Sequence, residues 1–393
     1  MFWNKINTDS GKIENLLSWG VEEIFEADSL RKKLLSGEKL RVKFGVDPTM
    51  NTLHLGHSLP LKKLQQFLDL GHQVVLLIGD FTATIGDPSG RLRERPVLSR
   101  QEVERNMKEY VRQAGKILDT RKAEIRHNSE WYEKKDARFF MELASQFTYA
   151  RLMDRAEFKE RIRSGGNVTM AELFYPLLQG YDSVELGADV EIGGTEQKFN
   201  LLMGRKVQKR FGLPEQDIMT VPLLVGTDGE KKMSKSYGNF IALDDKSNIM
   251  FAKIMSIPDS LVWQYFSLLT DEQPERTEER RKTAGTDIFN HKKDLSQLIV
   301  ARFYGEKSAQ AARDEFAKVF SQKGLPSEIE GVEGAGKLII ETGPGLNVSK
   351  SEIKRLIDEG AVSVNGKIIK DWHYQLQSDD LLKIGSHKFV KIK

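Results

Sequence analysis

Three clusters of side chains in this 393-residue chain have the types and spacing of a chemical site. The first is PTMNTLHLGH, in which His54 and His57 stand three apart. At the start of a helix that spacing puts both rings on one face, near the positive end of the helix dipole. Gly56 between them lets a ligand approach the backbone closely. Such a pair can donate hydrogen bonds to an anion. The same spacing fits two incidental histidines or half of a metal site, although no third ligand of fixed spacing accompanies them. The second cluster is KKMSKS, residues 231–236, preceded by GTDGE. Lysines on a loop, Lys232 and Lys235 among them, can close over a polyphosphate and offset charge that develops as it leaves. The GxxxxGK[ST] spacing of a Walker loop is absent, and taken alone KKxxK also describes a solvated basic loop. The third cluster is YPLLQGYD, where Tyr175, Gln179 and Asp182 recur at i, i+4 and i+7 on one helix face. A phenol, an amide and a carboxylate there either meet water or line a pocket for a polar small molecule.

The elements that must position these groups are readable around them. In LRVKFGV, Leu40, Val42, Phe44 and Val46 alternate with Arg41, Lys43 and Gly45, the period of a strand. Leu61, Leu64, Phe67 and Leu68 then fall at helical spacing with Gly71 as a stop, and VVLLIG reads as a strand buried on both faces. Strand, helix, strand is a βαβ unit, so the fold class is α/β with a Rossmann-like parallel sheet. The loop between such a strand and its helix is where these sheets bind nucleotides, with phosphate at the helix N-terminus. Residues from about 91 to 180 read as a helical insertion without a strand signal, and the sheet resumes at DVEIGG and DIMTVPLLVG. A charged helical pattern follows to about 330, where Gly324-Leu325-Pro326 and GVEGAG mark a boundary. The last stretch holds a helix in LNVSKSEIKRLIDEG, a hairpin at Asn365-Gly366 and short strands in LLKIG and KFVKIK. The expected organisation is a sheet domain over 1–238 with its insertion, an α-helical domain over 239–330 and a small α+β domain over 337–393.

Composition narrows the chemistry. With 39% hydrophobic and 30% charged residues, 32 Gly and 11 Pro, the chain is neither collagen-like, disordered nor of low complexity. Lys and Arg total 60 against 57 Asp and Glu, so any basic footprint must be local. The absence of cysteine excludes disulfides, zinc ribbons, iron–sulfur clusters and thiol catalysis. The longest apolar run, Val74 to Ile78, is far too short to span a bilayer, and MFWNKINTDS lacks a signal-peptide core, so a cytoplasmic protein without membrane contact is expected.

The two motifs together are far more specific than either alone. The chain resembles the class I aminoacyl-tRNA synthetases, whose HIGH and KMSKS signatures match His54-Leu55-Gly56-His57 and Lys232-Met233-Ser234-Lys235-Ser236. GVDPTMNTLHLGH, GDFTATIGDPSG, YPLLQGYD, GADVEIGGTEQ and LNVSKSEIKRLIDEGAVSVNGK extend the likeness over essentially the whole chain, nearest to the bacterial tyrosine branch. The resemblance implies activation of L-tyrosine by ATP and transfer to tyrosine tRNA. It implies ATP contacts from Gly45, Asp47, His54, Gly56, His57, Gly194, Glu196 and Lys235, assisted by Thr49. Lys232 and Lys235 would neutralise departing pyrophosphate, and Mg²⁺ would accompany ATP without a dedicated protein cage. Asp87, Tyr175 and Gln179 would take the substrate ammonium, Asp182 its phenolic hydrogen, and Gln197 its carboxylate end. The helical stretch would face the anticodon in a homodimer. The tail, with nine basic and seven acidic residues over 341–393, resembles an S4-type RNA-binding domain, with Lys350, Lys354 and Arg355 sharing a helix face. A solvated helix face on a small cap carries the same charge.

Two positions depart from the better-known pattern. Lys43 stands where a tyrosine helps grip the phenol, and Glu191 where many relatives have glutamine. Tryptophan enzymes share the same body, but YxxxQxxD and the tail favour tyrosine. An RNA-binding protein on a synthetase scaffold without catalysis is opposed by the intact His54, His57, Lys232, Lys235 and Asp182. A small nucleotidyltransferase with HxGH is opposed by the length, KMSKS and the tail.

Overall fold

A computed structural model of the chain describes residues 6–89, 99–285, 287–321, 330–342, 349–385 and 388–393. They fall into two compact units, Met1–Lys246 with Ser256–Ile299, and Ser247–Met255 with Val300–Lys393.

The first unit is built on a six-stranded sheet. Its strands β1 (Glu23–Phe25), β2 (Arg41–Val46), β3 (Gln73–Ile78), β4 (Glu124–His127), β5 (Val190–Gly194) and β6 (Asp217–Val221) lie in the order β1-β6-β5-β2-β3-β4. Neighbours are parallel except β1, which runs antiparallel to β6. The chain moves outward from β2 through β3 to β4, then returns to place β5 at the other edge of β2. Strand order therefore reverses between β2 and β5, and the crevice beyond their C-terminal ends is where such sheets bind ligands.

The expected strands around Val42 and Val75 are β2 and β3. The alternation in β2 implied a polar face, yet Val42 and Lys43 are both fully buried. Helices cover a parallel sheet on both sides, so no face of it meets water. Helices α1 (Ser10–Ser18) and α2 (Ala27–Ser36) precede β2, and α3 (Leu55–Asp69) follows it, burying Leu61, Leu64 and Phe67. Next, α4 (Arg100–Ala114) leads to β4, which corrects the reading of 91–180 as helical throughout. The strand EIRH has one apolar residue and is only half-buried at the sheet edge, so it leaves no apolar run to read.

Between β4 and β5 lie α5 (Ser129–Tyr132), α6 (Ala137–Ser145), α7 (Tyr149–Leu152), α8 (Ala156–Arg163) and α9 (Met170–Leu186). Their core joins Trp131, Tyr132, Leu143, Phe158 and Leu177. Helix α10 (Lys198–Arg210) connects β5 to β6 and packs along α9. The charged stretch beyond forms α11 (Ser247–Met255), α12 (Val262–Leu269), α13 (Pro274–Thr283), α14 (Ile288–Tyr304) and α15 (Glu306–Phe316), helical as expected.

The second unit contains a five-stranded sheet, β7 (Glu330–Val332), β8 (Val362–Val364), β9 (Lys367–Ile368), β10 (Leu381–Ile384) and β11 (Lys388–Ile392), in the order β7-β11-β10-β8-β9. Helix α16 (Lys350–Asp358) contributes Ile353 and Ile357 to a core with Val362, Leu382 and Val390. Asn365 and Gly366, at φ 49° and 81°, form the two-residue turn between β8 and β9 that the Asn-Gly pair predicts. The expected boundary at Gly324-Leu325-Pro326 lies outside the described residues.

Candidate active site

A cavity of about 840 Å³ opens beyond β2 and β5. Gly45, Asp47, Thr49, His54, Gly56, His57, Asp87, Tyr175, Gln179, Asp182, Gly194, Glu196, Gln197, Lys232 and Lys235 all line it, so every expected active-site residue meets in one place.

His54 is the N-cap of α3, and its extended backbone (φ −129°, ψ 172°) turns the chain into the helix. This brings the His54 and His57 ring centroids to 4.0 Å. His57 Nδ1 accepts the His54 backbone N–H at 3.2 Å, which leaves the His57 proton on Nε2. Burial holds the His57 imidazolium down to about 4 and that of His54 well below its ordinary value, helped by the positive charge of Lys235. Both rings are therefore neutral at pH 7 and act as hydrogen-bond donors without charge.

Lys235 is itself partly desolvated, which lowers its ammonium to about 8. Its Nζ is buried without a hydrogen-bond partner among the described residues, 5.6 Å from the centre of the Tyr110 ring. His54 Nδ1 and Glu196 Oε2 are buried and unpartnered as well. An ammonium, an imidazole nitrogen and a carboxylate oxygen left in that condition fit the phosphates and ribose hydroxyls of a nucleotide. Lys232 lies 3.6 Å from Glu196. The KMSKS segment is pinned at its base, where Met233 is buried and Asn239 accepts the Ser234 N–H at 2.8 Å and donates to the Lys232 carbonyl at 3.2 Å.

Asp182 is 3% exposed. Its Oδ1 accepts the Trp131 indole N–H at 3.0 Å and its Oδ2 an Asn128 amide hydrogen at 3.4 Å. Burial pushes its carboxyl up to about 7, with Lys43 opposing the shift. The Tyr175 hydroxyl donates to Asp47 at 3.0 Å, and Thr82 donates to the other oxygen of Asp47 at 2.9 Å. Gln197 donates to Asp87 at 2.6 Å. The Asn200 amide faces Gln179 Oε1 at 2.8 Å and Gln197 Oε1 at 3.1 Å, and Arg155 holds Asn200 Oδ1 at 2.9 Å.

The residues missed in the sequence are these supports. Asn200 follows Gln197 by three in TEQKFN, a spacing that could have flagged it. Trp131 and Asn128 stand just past β4, the strand with no apolar signal, and Arg155 comes from the helical layer with no motif around it.

Lys43 and Glu191, the two departures, are partners. They form an ion pair of 2.9 Å with 0% and 1% side-chain exposure. The three hydrogens of the Lys43 ammonium go to Glu191, the Gln179 carbonyl and the Ser183 hydroxyl, each at 2.9 Å, so none is left for a phenol.

Among the described residues no group of three or more His, Cys, Asp or Glu is placed to hold a metal ion. In the second unit, Lys350 and Lys354 lie one turn apart on α16, and Lys354 stands 4.7 Å over the Trp372 ring. Arg355 is about 100° further round the helix and pairs with Glu359 at 2.8 Å, so the expected three-residue face reduces to two lysines.

Comparison with known proteins identifies the family. The family model for tRNA synthetases class I (W and Y) matches residues 35–321, and that for the S4 domain matches 345–382. The tyrosine–tRNA ligase of Thermotoga maritima is 44% identical over 387 residues, 96% of each chain. That of Aquifex aeolicus is 43% identical over 385 residues, 96% of this chain and 97% of its own. Two solved structures share the fold. A truncated mitochondrial tyrosyl-tRNA synthetase from Aspergillus nidulans has TM-score 0.65 and 22% identity, over 79% of this chain and 94% of its own. The Archaeoglobus fulgidus tyrosyl-tRNA synthetase, complexed with L-tyrosine, has TM-score 0.63 and 20% identity, over 77% of this chain and 99% of its own. Identity at the level of the bacterial relatives, sustained over nearly the full length, reflects common descent, and this protein belongs to the class I tRNA synthetases of the tryptophan and tyrosine family.

Proposed function

We propose that this protein joins L-tyrosine to ATP, giving tyrosyl-adenylate and pyrophosphate, and then transfers tyrosine to the terminal adenosine of tyrosine tRNA. The observation that carries this reading is one cavity holding both a buried carboxylate, Asp182, and a lysine, Lys235, whose Nζ is buried without a hydrogen-bond partner among the described residues, beside two neutral histidines.

In the first step an oxygen of the tyrosine carboxylate attacks the α-phosphorus, and the bond to the bridging oxygen breaks with its electron pair leaving on pyrophosphate. That carboxylate is ionised at neutral pH, so no general base is required. The protein's work is positioning and charge. His54 and His57 donate N–H groups to phosphate and ribose. Lys235 and Lys232 receive the charge that grows on the leaving group, and Thr49 assists. Gly45, Asp47, Gly56, Gly194 and Glu196 bound the adenylate. Asp87, Tyr175 and Gln179 take the ammonium, Gln197 the carboxylate end, and Asp182 the phenolic hydrogen. Mg²⁺ would be carried by the ATP phosphates, with no His, Asp or Glu cluster among the described residues to hold it, and would supply further charge neutralisation there.

The tRNA is held by residues 239–330 on the anticodon side and by 337–393, with Lys350 and Lys354 on backbone phosphates. A homodimer is supported by large apolar side chains exposed on the helical layer, Met141 at 70%, Met170 at 68% and Tyr149 at 65%. The cytoplasm is the compartment that supplies this tRNA. Charging of total tRNA with labelled tyrosine tests the reading. Incorporation of tyrosine and of no other amino acid is expected, and none at all would refute it. Sedimentation showing only monomer at micromolar concentration would refute the dimer.

A further inference from the structure

Lys43 and Glu191 face each other directly across the parallel strands β2 and β5. Both carboxylate oxygens of Glu191 are doubly satisfied. Glu191 Oε1 accepts from Lys43 at 2.9 Å and from the Gln179 amide at 3.1 Å. Its Oε2 accepts from the Ser183 hydroxyl at 3.2 Å and from the Gln216 amide. Gly204 of α10 leaves the room for this, since a β-carbon there would lie 2.6 Å from Gln216 Nε2 and 3.2 Å from Glu191 Oε2.

Gln179 carries the network to the cavity wall. A side-chain amide has two orientations related by a half-turn, and this environment permits one. Nε2 meets the carboxylate of Glu191, and Oε1 meets the NH₂ of Asn200 at 2.8 Å. Turned over, oxygen would face carboxylate and NH₂ would face NH₂, with no hydrogen bond on either side. A glutamine at 191 would lack this power, because its own amide can turn to suit either orientation.

We infer that the buried Lys43–Glu191 pair fixes the Gln179 amide with its carbonyl oxygen available to the α-ammonium of tyrosine, and so makes the site select for the amino group of its substrate. Lys43 and Glu191 are positioning residues. Lys43 holds the Gln179 main chain and neutralises Glu191, which would otherwise be a lone buried charge. The inference rests on the tyrosine-activating function proposed above.

The test compares tyrosine with 3-(4-hydroxyphenyl)propanoate, the same molecule without its amine, as a competitive inhibitor of tyrosine-dependent ATP–pyrophosphate exchange. Glu191→Gln should raise the KM for tyrosine by about 10- to 10²-fold, the loss of one hydrogen bond to a charged group. The kcat and the inhibition constant of the amine-free analogue should stay within about twofold. Lys43→Met combined with Glu191→Gln removes both charges and should show the same pattern, which covers a failure of the single variant to fold. Parallel weakening of both ligands, or an unchanged KM for tyrosine, would overturn the inference. Wild-type protein without tyrosine-dependent exchange would instead refute the proposed function before any variant is made.

Discussion

Asp182→Ala removes the carboxylate that Trp131 and Asn128 hold at 3.0 and 3.4 Å. In the intact protein, phenylalanine would leave that carboxylate with its two protein donors but without the substrate hydroxyl. A hydrogen bond to a charged group contributes about 1.5–3 kcal/mol, and stripping a buried charge of its partner costs about 3–5 kcal/mol. Because two donors remain, the discrimination due to this group lies near 3 kcal/mol, where the two ranges meet, or about 10²-fold in kcat/KM. The variant has no acceptor to reward the hydroxyl and no charge to strand. The ratio of kcat/KM for tyrosine to that for phenylalanine, measured by ATP–pyrophosphate exchange at about pH 8, where the wild-type carboxyl is mostly ionised, should therefore fall by about 10²-fold, mainly through loss of tyrosine. Circular dichroism would establish that the variant is folded. An unchanged ratio in a folded variant would refute the role of Asp182.

Stability gives an independent handle on the same group. Its carboxyl sits near 7 in the folded protein against an ordinary 3.8, so between those values the folded state holds a proton that the unfolded state has lost. Wild-type stability therefore falls as pH rises through that window, and Asp182→Asn should gain up to about 4 kcal/mol relative to wild type between pH 4 and pH 8; parallel melting curves at both pH values would contradict the buried charge. Lys235 loses its proton near 8, so kcat/KM for ATP should decline above that pH in wild type, and Lys235→Arg should abolish the decline because guanidinium stays charged. A decline that persists in the arginine variant would assign it elsewhere. Lys350→Ala with Lys354→Ala should raise the KM for tRNA and lower the slope of log KM against log salt by about 2, with pyrophosphate exchange unchanged. An unaltered salt slope would remove these lysines from the RNA contact.

Much of the site was legible because its motifs lie where a regular α/β sheet must present them, at the end of β2, at the start of α3 and on one face of α9. Periodicity located those elements, and the Asn365-Gly366 turn declared its own hairpin. What stayed hidden depends on contacts between distant segments. The alternation in LRVKFGV put Lys43 on a polar face, and only the pairing of β2 with β5 reveals Glu191 as the reason a lysine can be buried there. Strand β4 escaped notice because an edge strand with one apolar residue resembles a helix fragment. With it went Trp131 and Asn128, the groups that hold Asp182.

Tyrosine-dependent ATP–pyrophosphate exchange in the absence of tRNA tests the central claim most directly, because it requires the phosphate end and the amino-acid end of one cavity to act together. Tyrosine should support exchange, and tryptophan and phenylalanine should support it at least about 10²-fold less well in kcat/KM. Equal exchange with tryptophan, or none with tyrosine, would contradict it.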